Sequence, residues 1–507
     1  MTERSSNYRW FVLIIIMLGT FMAILDSSIV NVALPHMMSA FGVNRNQIEW
    51  VATGFMLATA VAMPLVGWFV SRVGHKTLYV AALAMFTLGS AACALSWSYN
   101  SLIVARIVQA VGGGAIQPVG MAIIADLFEP RERGRALGLW GTGIMIGPAL
   151  GPTLGGYLTE WFSWRTIFSV NLPIGVITLL LAVTVMQSES KASRQKRPFD
   201  WWGFIFLSAA LIGGLLALSK GQDKGWDSGL IRTYMIVSFI GTVMFISIEK
   251  SVNHPLLDLG LFKHRNYTLS MVLALFRSVG LFGGVFLLPI FLENVVGYTT
   301  IQTGLWMMPG AIAVGLMMPL AGRLSDKYNP GWLVAVGALL TTVSLFLYGH
   351  LEPRSSAMMI IGPQLIRGIG LALMMAPLMT TAINAVPQDK IATASSFLNV
   401  AQRVGGSFGI AILNTFVTDS IFRHSVRMGA SLAPESTRFQ HFTDHTISTL
   451  AAQGHQPLSS LAALGPMLAS QMISLKATVL GFENGFVIGG FIVLAGVPLA
   501  LLLRKDH

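Results

Sequence analysis

One cysteine, Cys93, stands in 507 residues, which excludes a disulfide framework and a cysteine-based zinc site. Charge is scarce as well. Lys and Arg number 33 and Asp and Glu 22, together 11% of the chain, where a soluble globular protein carries about 25%. So few charges exclude a soluble enzyme, a disordered tail protein and a nucleic-acid reader. Signature motifs of nucleotide and hydrolase chemistry are missing too: there is no P-loop, no HExxH and no GxSxG. The glycine run Gly112-Gly113-Gly114 lies inside an apolar stretch, beyond the reach of any nucleotide. What the chain does have is apolar surface, 54% hydrophobic residues and a mean hydropathy of +0.67. It reads as a polytopic, all-α membrane protein whose solvent is the lipid bilayer.

A membrane-crossing helix needs roughly 20 mostly apolar residues. Runs of that kind lie near 9–33, 47–70, 77–97, 101–125, 136–156, 167–187, 202–219, 230–248, 267–292, 303–324, 332–350, 357–384, 392–418 and 477–503, about 14 spans. The first run follows Arg4 and Arg9 but is too long for a signal-peptide core and lacks a small-x-small cleavage site, so it reads as a permanent span. Lys and Arg collect on one side. With the N-terminus inside, the cytoplasmic segments 72–76, 128–135, 188–200, 250–266, 323–330 and 387–391 hold most of them, while the opposite loops offer Arg45, Arg165, Lys220, Lys224, Arg232 and Arg354. Both termini are therefore expected in the cytoplasm. The net charge of +11 is a topology signal, and no nucleic-acid partner is expected. One external segment, 419–475, is long. Its histidines (His424, His441, His445 and His455) match no metal-ligand spacing, and a cap over the pathway is the expected role.

The chain also repeats itself. Met63-Pro64-Leu65-Val66-Gly67 recurs as Met318-Pro319-Leu320-Ala321-Gly322, and Gly112, Gly147 and Gly151 match Gly370, Gly405 and Gly409 at a constant offset of 258. Spans 1–6 thus correspond to spans 9–14. The expected organisation is a six-helix half over 1–190, two inserted spans over 191–250 and a second, parallel half over 251–507. Such paired halves suit a central site exposed to one side and then the other.

Ionisable groups inside spans are costly and default to functional candidates. Asp26 is the sole carboxylate well inside a span, and Arg106, Arg277, Arg367 and Arg403 are the buried cations. Apolar surroundings favour a neutral carboxyl and a nearby guanidinium favours an ionised one, so a carboxyl held between the two can gain and lose a proton. A structural Asp that never titrates is the competing reading. Asp26 is expected to face a cavity. Asn31, about 140° around the helix, is expected to hold a neighbouring helix, and also counts as a pathway candidate. Arg106, Gln109, Gly113, Gln117 and Gly120 share one side of the fourth span, as expected for a bundle interior or a watered path. In the fifth, Gly143, Gly147, Gly151 and Gly155 recur every four residues with Pro148 and Pro152 beside them, a groove for a close neighbour on a helix able to bend. Gly67, Arg72, Gly74 and Lys76 form a tight turn opposite Asp126 and the stretch Glu129–Arg133, where pairs could latch one state. Arg277 stands alone and suits either a polar substrate or backbone carbonyls.

These stretches together resemble the major facilitator superfamily, in particular its fourteen-span drug:proton antiporter branch. Leu25-Asp26-Ser27-Ser28-Ile29-Val30-Asn31-Val32-Ala33-Leu34-Pro35 is similar to that branch's first-span signature, and 67–76 to the superfamily's second-to-third loop motif. Arg106-x-x-Gln109 resembles the fourth-span motif, 143–156 the antiporter motif of the fifth, and Trp164-Arg165 through Asn171-Leu172-Pro173-Ile174-Gly175 is typical of the branch. The resemblance implies proton coupling through Asp26 and Arg106, with Gln109, Gln117, Asn31, Arg277 and Arg403 along the substrate pathway. It also implies a conformational switch built from Gly67, Arg72, Gly74, Lys76, Asp126, Gly147, Pro148, Gly151, Pro152, Gly155 and Asp326. Ser71 departs from it, standing where the loop motif has Asp, which shifts the latch to Asp326. Arg403 departs as well, one position later than in many relatives. The implied activity is export of lipophilic compounds driven by inward proton flow across a bacterial inner membrane, with no cofactor and no metal. A proton-coupled uptake carrier, and a subunit that hands substrate to a periplasmic adaptor and outer-membrane channel, are the rival readings.

Overall fold

The computed structural model describes residues 6–188, 198–431 and 458–505. Thirteen of its helices are long and apolar enough to cross a membrane. In chain order they are α1 (Asn7–Phe41), α2 (Arg45–Val73), α3 (His75–Ala94), α4 (Tyr99–Leu127), α6 (Thr166–Val185), α7 (Trp201–Lys224), α8 (Gly229–Ser251), α9 (Arg265–Val296), α10 (Thr300–Lys327), α11 (Pro330–Tyr348), α12 (Ala357–Asn384), α13 (Gln388–Gly429) and α14 (Ser470–Ala500). A fourteenth, α5 (Arg133–Trp161), has 29 residues. It is as long as the others but less apolar, because glycines and prolines stand where its neighbours carry leucine.

Local chemistry fixes the helix starts. Ser98 and Ser101 form a reciprocal capping box before α4, and Thr299 and Gln302 another before α10, each satisfying backbone N–H groups that a helix start leaves unpaired. Gly74 ends α2 at φ +85, a conformation that costs glycine little, and lets α3 begin at once.

The repeat seen in the sequence is a repeat of contacts. A Cβ on Gly112 of α4 would strike the Phe86 nitrogen of α3 at 2.6 Å, and one on Gly370 of α12 would strike the Gly337 oxygen of α11 at 2.7 Å. Gly147 and Gly151 press α5 onto α1, as Gly405 and Gly409 press α13 onto α9. The molecule is two parallel six-helix halves, α1–α6 and α9–α14. The inserted α7 lies along the seam between them, sharing apolar clusters with Met63 and Leu57 of α2 and with Val400 and Val404 of α13.

The face carrying the chain termini and the 73–75, 127–133 and 384–388 connections is here the terminal face. Toward it, one apolar core runs through both halves, joining for example Val119 and Ile123 to Met375 and Met379. Toward the far face each half keeps its own core, around Ile29, Val51 and Phe168 in the first and around Leu287, Phe291 and Phe486 in the second. The expected external segment 419–475 is corrected at both ends: α13 continues as helix to Ser431, and helix resumes at Leu458. Its middle, with His441, His445 and His455, lies outside the described residues, as do Lys191, Arg194, Lys196 and Arg197.

Candidate functional site

Asp26 lies halfway along α1 and is wholly buried inside the first half. Its position corrects the expectation that it faces a cavity. Three side chains saturate the carboxylate. Arg106 Nη1 donates to Oδ2 at 2.6 Å, while Gln109 Nε2 at 2.8 Å and Asn171 Nδ2 at 2.7 Å both donate to Oδ1. Arg106 and Gln109 sit one turn apart on α4, and Arg106 Nη1 also donates to Gln109 Oε1 at 2.6 Å. Gln109 Nε2 further reaches Ser90 Oγ of α3 at 2.7 Å. Arg106 Nε donates to the Val51 carbonyl of α2 at 3.3 Å, and its guanidinium lies 3.9 Å from the Phe55 ring centroid, a cation–π contact strengthened by exclusion of water.

Three helices thus meet on one carboxylate, and α2 and α3 hold its partners from behind. Burying an ion pair costs several kcal/mol per ion unless geometry and further hydrogen bonds offset it, and here the amides supply those bonds. One acceptor is left over: Asn171 Oδ1 is buried without a partner. Sequence reasoning picked out Asp26, Arg106 and Gln109 and missed Ser90 and Asn171. Asn171 stands in the 164–175 stretch, but only the fold brings α6 against α1.

The other pathway candidates are not gathered at this cluster. Asn31 is exposed, so it does not hold a neighbouring helix as expected; with Ser27, one turn away, it forms a polar strip on the far half of α1. Gln117 is half-buried on α4, and Arg277 is buried in α9. Arg403 is half-buried in α13 with its Nε unpaired.

The residues read as a switch divide between α5 and the terminal face. Gly147 backs onto Leu25 of α1, where a Cβ would meet the backbone nitrogen at 3.1 Å, Gly151 onto Ser28 and Gly155 onto Ile29. Ser28 Oγ donates to the Pro148 carbonyl at 3.5 Å, and Pro152 follows one turn later inside the same helix. At the terminal face Asp326 of α10 accepts from the backbone N–H groups of Gly134 at 2.7 Å and Arg135 at 2.8 Å. A carboxylate at the first turn of α5 also complements the helix dipole. Ser71 does nothing comparable, since its hydroxyl donates to its own Trp68 carbonyl at 2.8 Å. Asp126 lies 3.7 Å from His75 Nδ1 and accepts from Gln388 of α13 at 3.1 Å. Arg133 donates to Asn384 of α12 at 2.9 Å, and a Cβ on Gly67 would meet the Thr393 backbone at 3.1 Å. Of the expected pairs between the 67–76 turn and Asp126 with the 129–133 stretch, His75–Asp126 is present, while the two cations of the turn make other contacts. Arg72 lies over the Trp68 ring, Lys76 donates to the Val183 carbonyl at 2.8 Å, and Glu132 pairs with Arg9 at 2.6 Å.

Residues 16–410 match the family model described as Major Facilitator Superfamily. Among curated relatives, the chain is 32% identical to the uncharacterized MFS-type transporter YhcA of Bacillus subtilis, over 99% of this chain and 94% of that one. It is 29% identical to the multidrug export protein EmrB of Escherichia coli K12, over 95% and 93%. The multidrug resistance protein B homolog of Mycobacterium tuberculosis is 33% identical over 83% and 78%. Of solved structures, the proton:xylose symporter XylE superposes with a TM-score of 0.62 at 14% identity, covering 97% of this chain and 95% of that one. Human MFSD10 gives 0.61 at 14%, covering 97% and 99%. These last two bear on the fold alone.

Proposed function

The chain belongs to the Major Facilitator Superfamily, a family of transporters, and from that membership we propose that it exports lipophilic small molecules in exchange for protons entering the cell. The observation that carries the reading is the buried Asp26 cluster. As it stands, every group aimed at the carboxylate is a donor, an environment matched to the ionised acid. Protonation removes the charge that holds Arg106, weakening a charge-assisted bond. The new O–H needs an acceptor, and rotation of the Asn171 amide presents its unpaired Oδ1. The cluster therefore has a partner set for each protonation state, and the change alters what ties α1 to α4 and α6.

Alternating access is the proposed mechanism. Among the described residues, the direct hydrogen bonds between halves run from Thr142–Gly315 toward the terminal face and include the Asp326, Asn384 and Gln388 contacts. With the terminal face in the cytoplasm, as the Lys and Arg bias indicates, these bonds close the inward side, while toward the outer side α5 and α10 touch without them, Gly304 against Thr153 and Gly156 against Ile301. Protons reach Asp26 from outside, and the closed face must open before it can discharge them. The relatives named as multidrug proteins support a lipophilic and varied substrate set, and a bacterial inner membrane is the proposed location.

The test uses everted membrane vesicles with an acid interior, following collapse of the pH gradient as lipophilic cations, neutral drugs and weak acids are added. Collapse by at least one class with the wild type, abolished in Asp26→Asn, is the expected result. Collapse of equal size in both removes Asp26 from coupling.

A further inference from the structure

The second half contains a copy of the Asp26 cluster with its acid missing. The offset of 258 that relates Gly112 to Gly370 also relates Arg106 to Gln364, Gln109 to Arg367, Ser90 to Tyr348 and Asp26 to Gly284. Contacts follow the same correspondence. Arg106 Nε donates to the Val51 carbonyl at 3.3 Å, and Gln364 Nε2 donates at 2.7 Å to the carbonyl of Trp306. Val51 and Trp306 are related by 255, the spacing of Met63 and Met318. The register also holds where α1 and α9 begin. The Tyr8 hydroxyl accepts from the Gln187 nitrogen at the end of α6, and Asn266 donates to the Arg504 carbonyl after α14, both at 2.9 Å.

Within that frame the guanidinium of Arg367 lies against Gly284, so that a Cβ built there would run into it. Where the first half places a carboxylate, the second has no side chain. Arg367 is 4% exposed and makes no ion pair among the described residues. Its Nη1 donates to the Leu281 carbonyl at 3.3 Å, just before α9 passes into a π-helical turn over Gly283–Leu287, a local widening often found at functional sites. Arg367 Nε is buried without a hydrogen-bond partner, and the Tyr348 hydroxyl lies beside the guanidinium, within reach of it and of Ser344. A second buried cation, Arg277, lies two turns earlier on α9. A charge without a counter-charge at this depth is expensive, and the unpaired Nε points to what would compensate it.

We propose that Arg367 and Tyr348 form an anion-binding site in the second half, filled by the carboxylate of a lipophilic acid or by a small inorganic anion. The site places negatively charged lipophiles among the transported compounds. That extension rests on the export reading, whereas anion binding itself does not.

The experiment melts the purified full-length protein in sodium gluconate with added sodium hexanoate, hexanamide or sodium chloride. Saturable protection by hexanoate but not by hexanamide is expected, with the half-saturating concentration raised about tenfold or more in Arg367→Gln, in line with loss of a charge-assisted bond. Gly284→Asp places an internal carboxylate at the same point once the Arg367 guanidinium swings aside and should abolish the anion effect, and Arg367→Lys, which keeps the charge, should retain protection and guards against misfolding of the first variant. Protection by chloride alone assigns the site to an inorganic anion, and protection by hexanoate alone to a carboxylate. Absence of any anion-dependent protection, or equal protection in Arg367→Gln, overturns the proposal. Asp26→Asn should keep the effect unchanged, so failure here is separable from failure of proton coupling.

Discussion

At the scale of single residues, the Asp26–Arg106 pair is a charge pair whose halves need each other. Removing one partner of a buried ion pair typically costs about 3–5 kcal/mol, because the other charge is left uncompensated. Arg106→Gln should therefore lower thermal stability more than Asp26→Asn combined with Arg106→Gln, as read by melts of the purified variants. An additive double variant would mean that the two side chains do not act as a pair. Asn171→Leu, which removes both the donor to Asp26 and the spare acceptor, should impair proton-linked transport while leaving substrate binding measurable. The residues most open to sequence reading were the charged ones, since a lone Asp or Arg in an apolar run announces itself. Ser90 and Asn171 gave no such signal. Serine and asparagine are tolerated in spans for many reasons, and only the packing of α3 and α6 shows that Asn171 bonds the carboxylate and Ser90 bonds its amide partners. The surroundings of Asp26 and Asn31 were hidden for the same reason: periodicity ranks faces of a helix but does not say what each face meets.

At the scale of elements, α5 packs stringently against α1. A Cβ on Gly151 would approach the Ser28 Cβ at 2.6 Å and the Ile29 backbone nitrogen at 3.2 Å, whereas one on Gly156 would come no closer than 3.7 Å to Ile301. Gly151→Val should part α5 from α1 and abolish transport with loss of folded protein, and Gly156→Ala should retain both, measured as vesicle transport against the yield of monodisperse protein. The glycine spacing made this groove legible in advance, because close approach of two helices demands small residues in register. The asymmetry of the latches was legible only in part. Ser71 and Asp326 differ in sequence, but the structure adds that Asp326 closes onto the first turn of α5 while Ser71 turns back on its own helix. Ser71→Asp should supply the equivalent contact to the start of α13, raise thermal stability and slow turnover. Asp326→Asn should do the reverse, and equal turnover in all three proteins would show that these contacts do not gate the cycle.

At the scale of the whole molecule, the distribution of apolar core describes a conformational state. A core shared by both halves toward one face and divided toward the other is what the proposed alternating access predicts for a state shut on one side. In a Cys93→Ser background, Asn31→Cys should react with a membrane-impermeant maleimide applied to the far face. Met375→Cys, buried in the shared core, should be protected until substrate turnover opens the terminal face. The inserted α7 lies along one flank of the seam with α8 packed on it, and its apolar contacts to α2 and α13 place it where the proposed motion of the halves would slide past it.

Proton exchange at Asp26, coupled to substrate, is the central claim, and the most direct measurement is proton release on binding. Purified protein in weakly buffered solution with a pH-sensitive dye is mixed with a compound shown to be transported, and the bulk pH is followed. The account predicts that the wild type releases protons in proportion to bound compound, and that Asp26→Asn binds the compound with no release. Equal release by both proteins, or transport by a wild type that exchanges no protons, would contradict it.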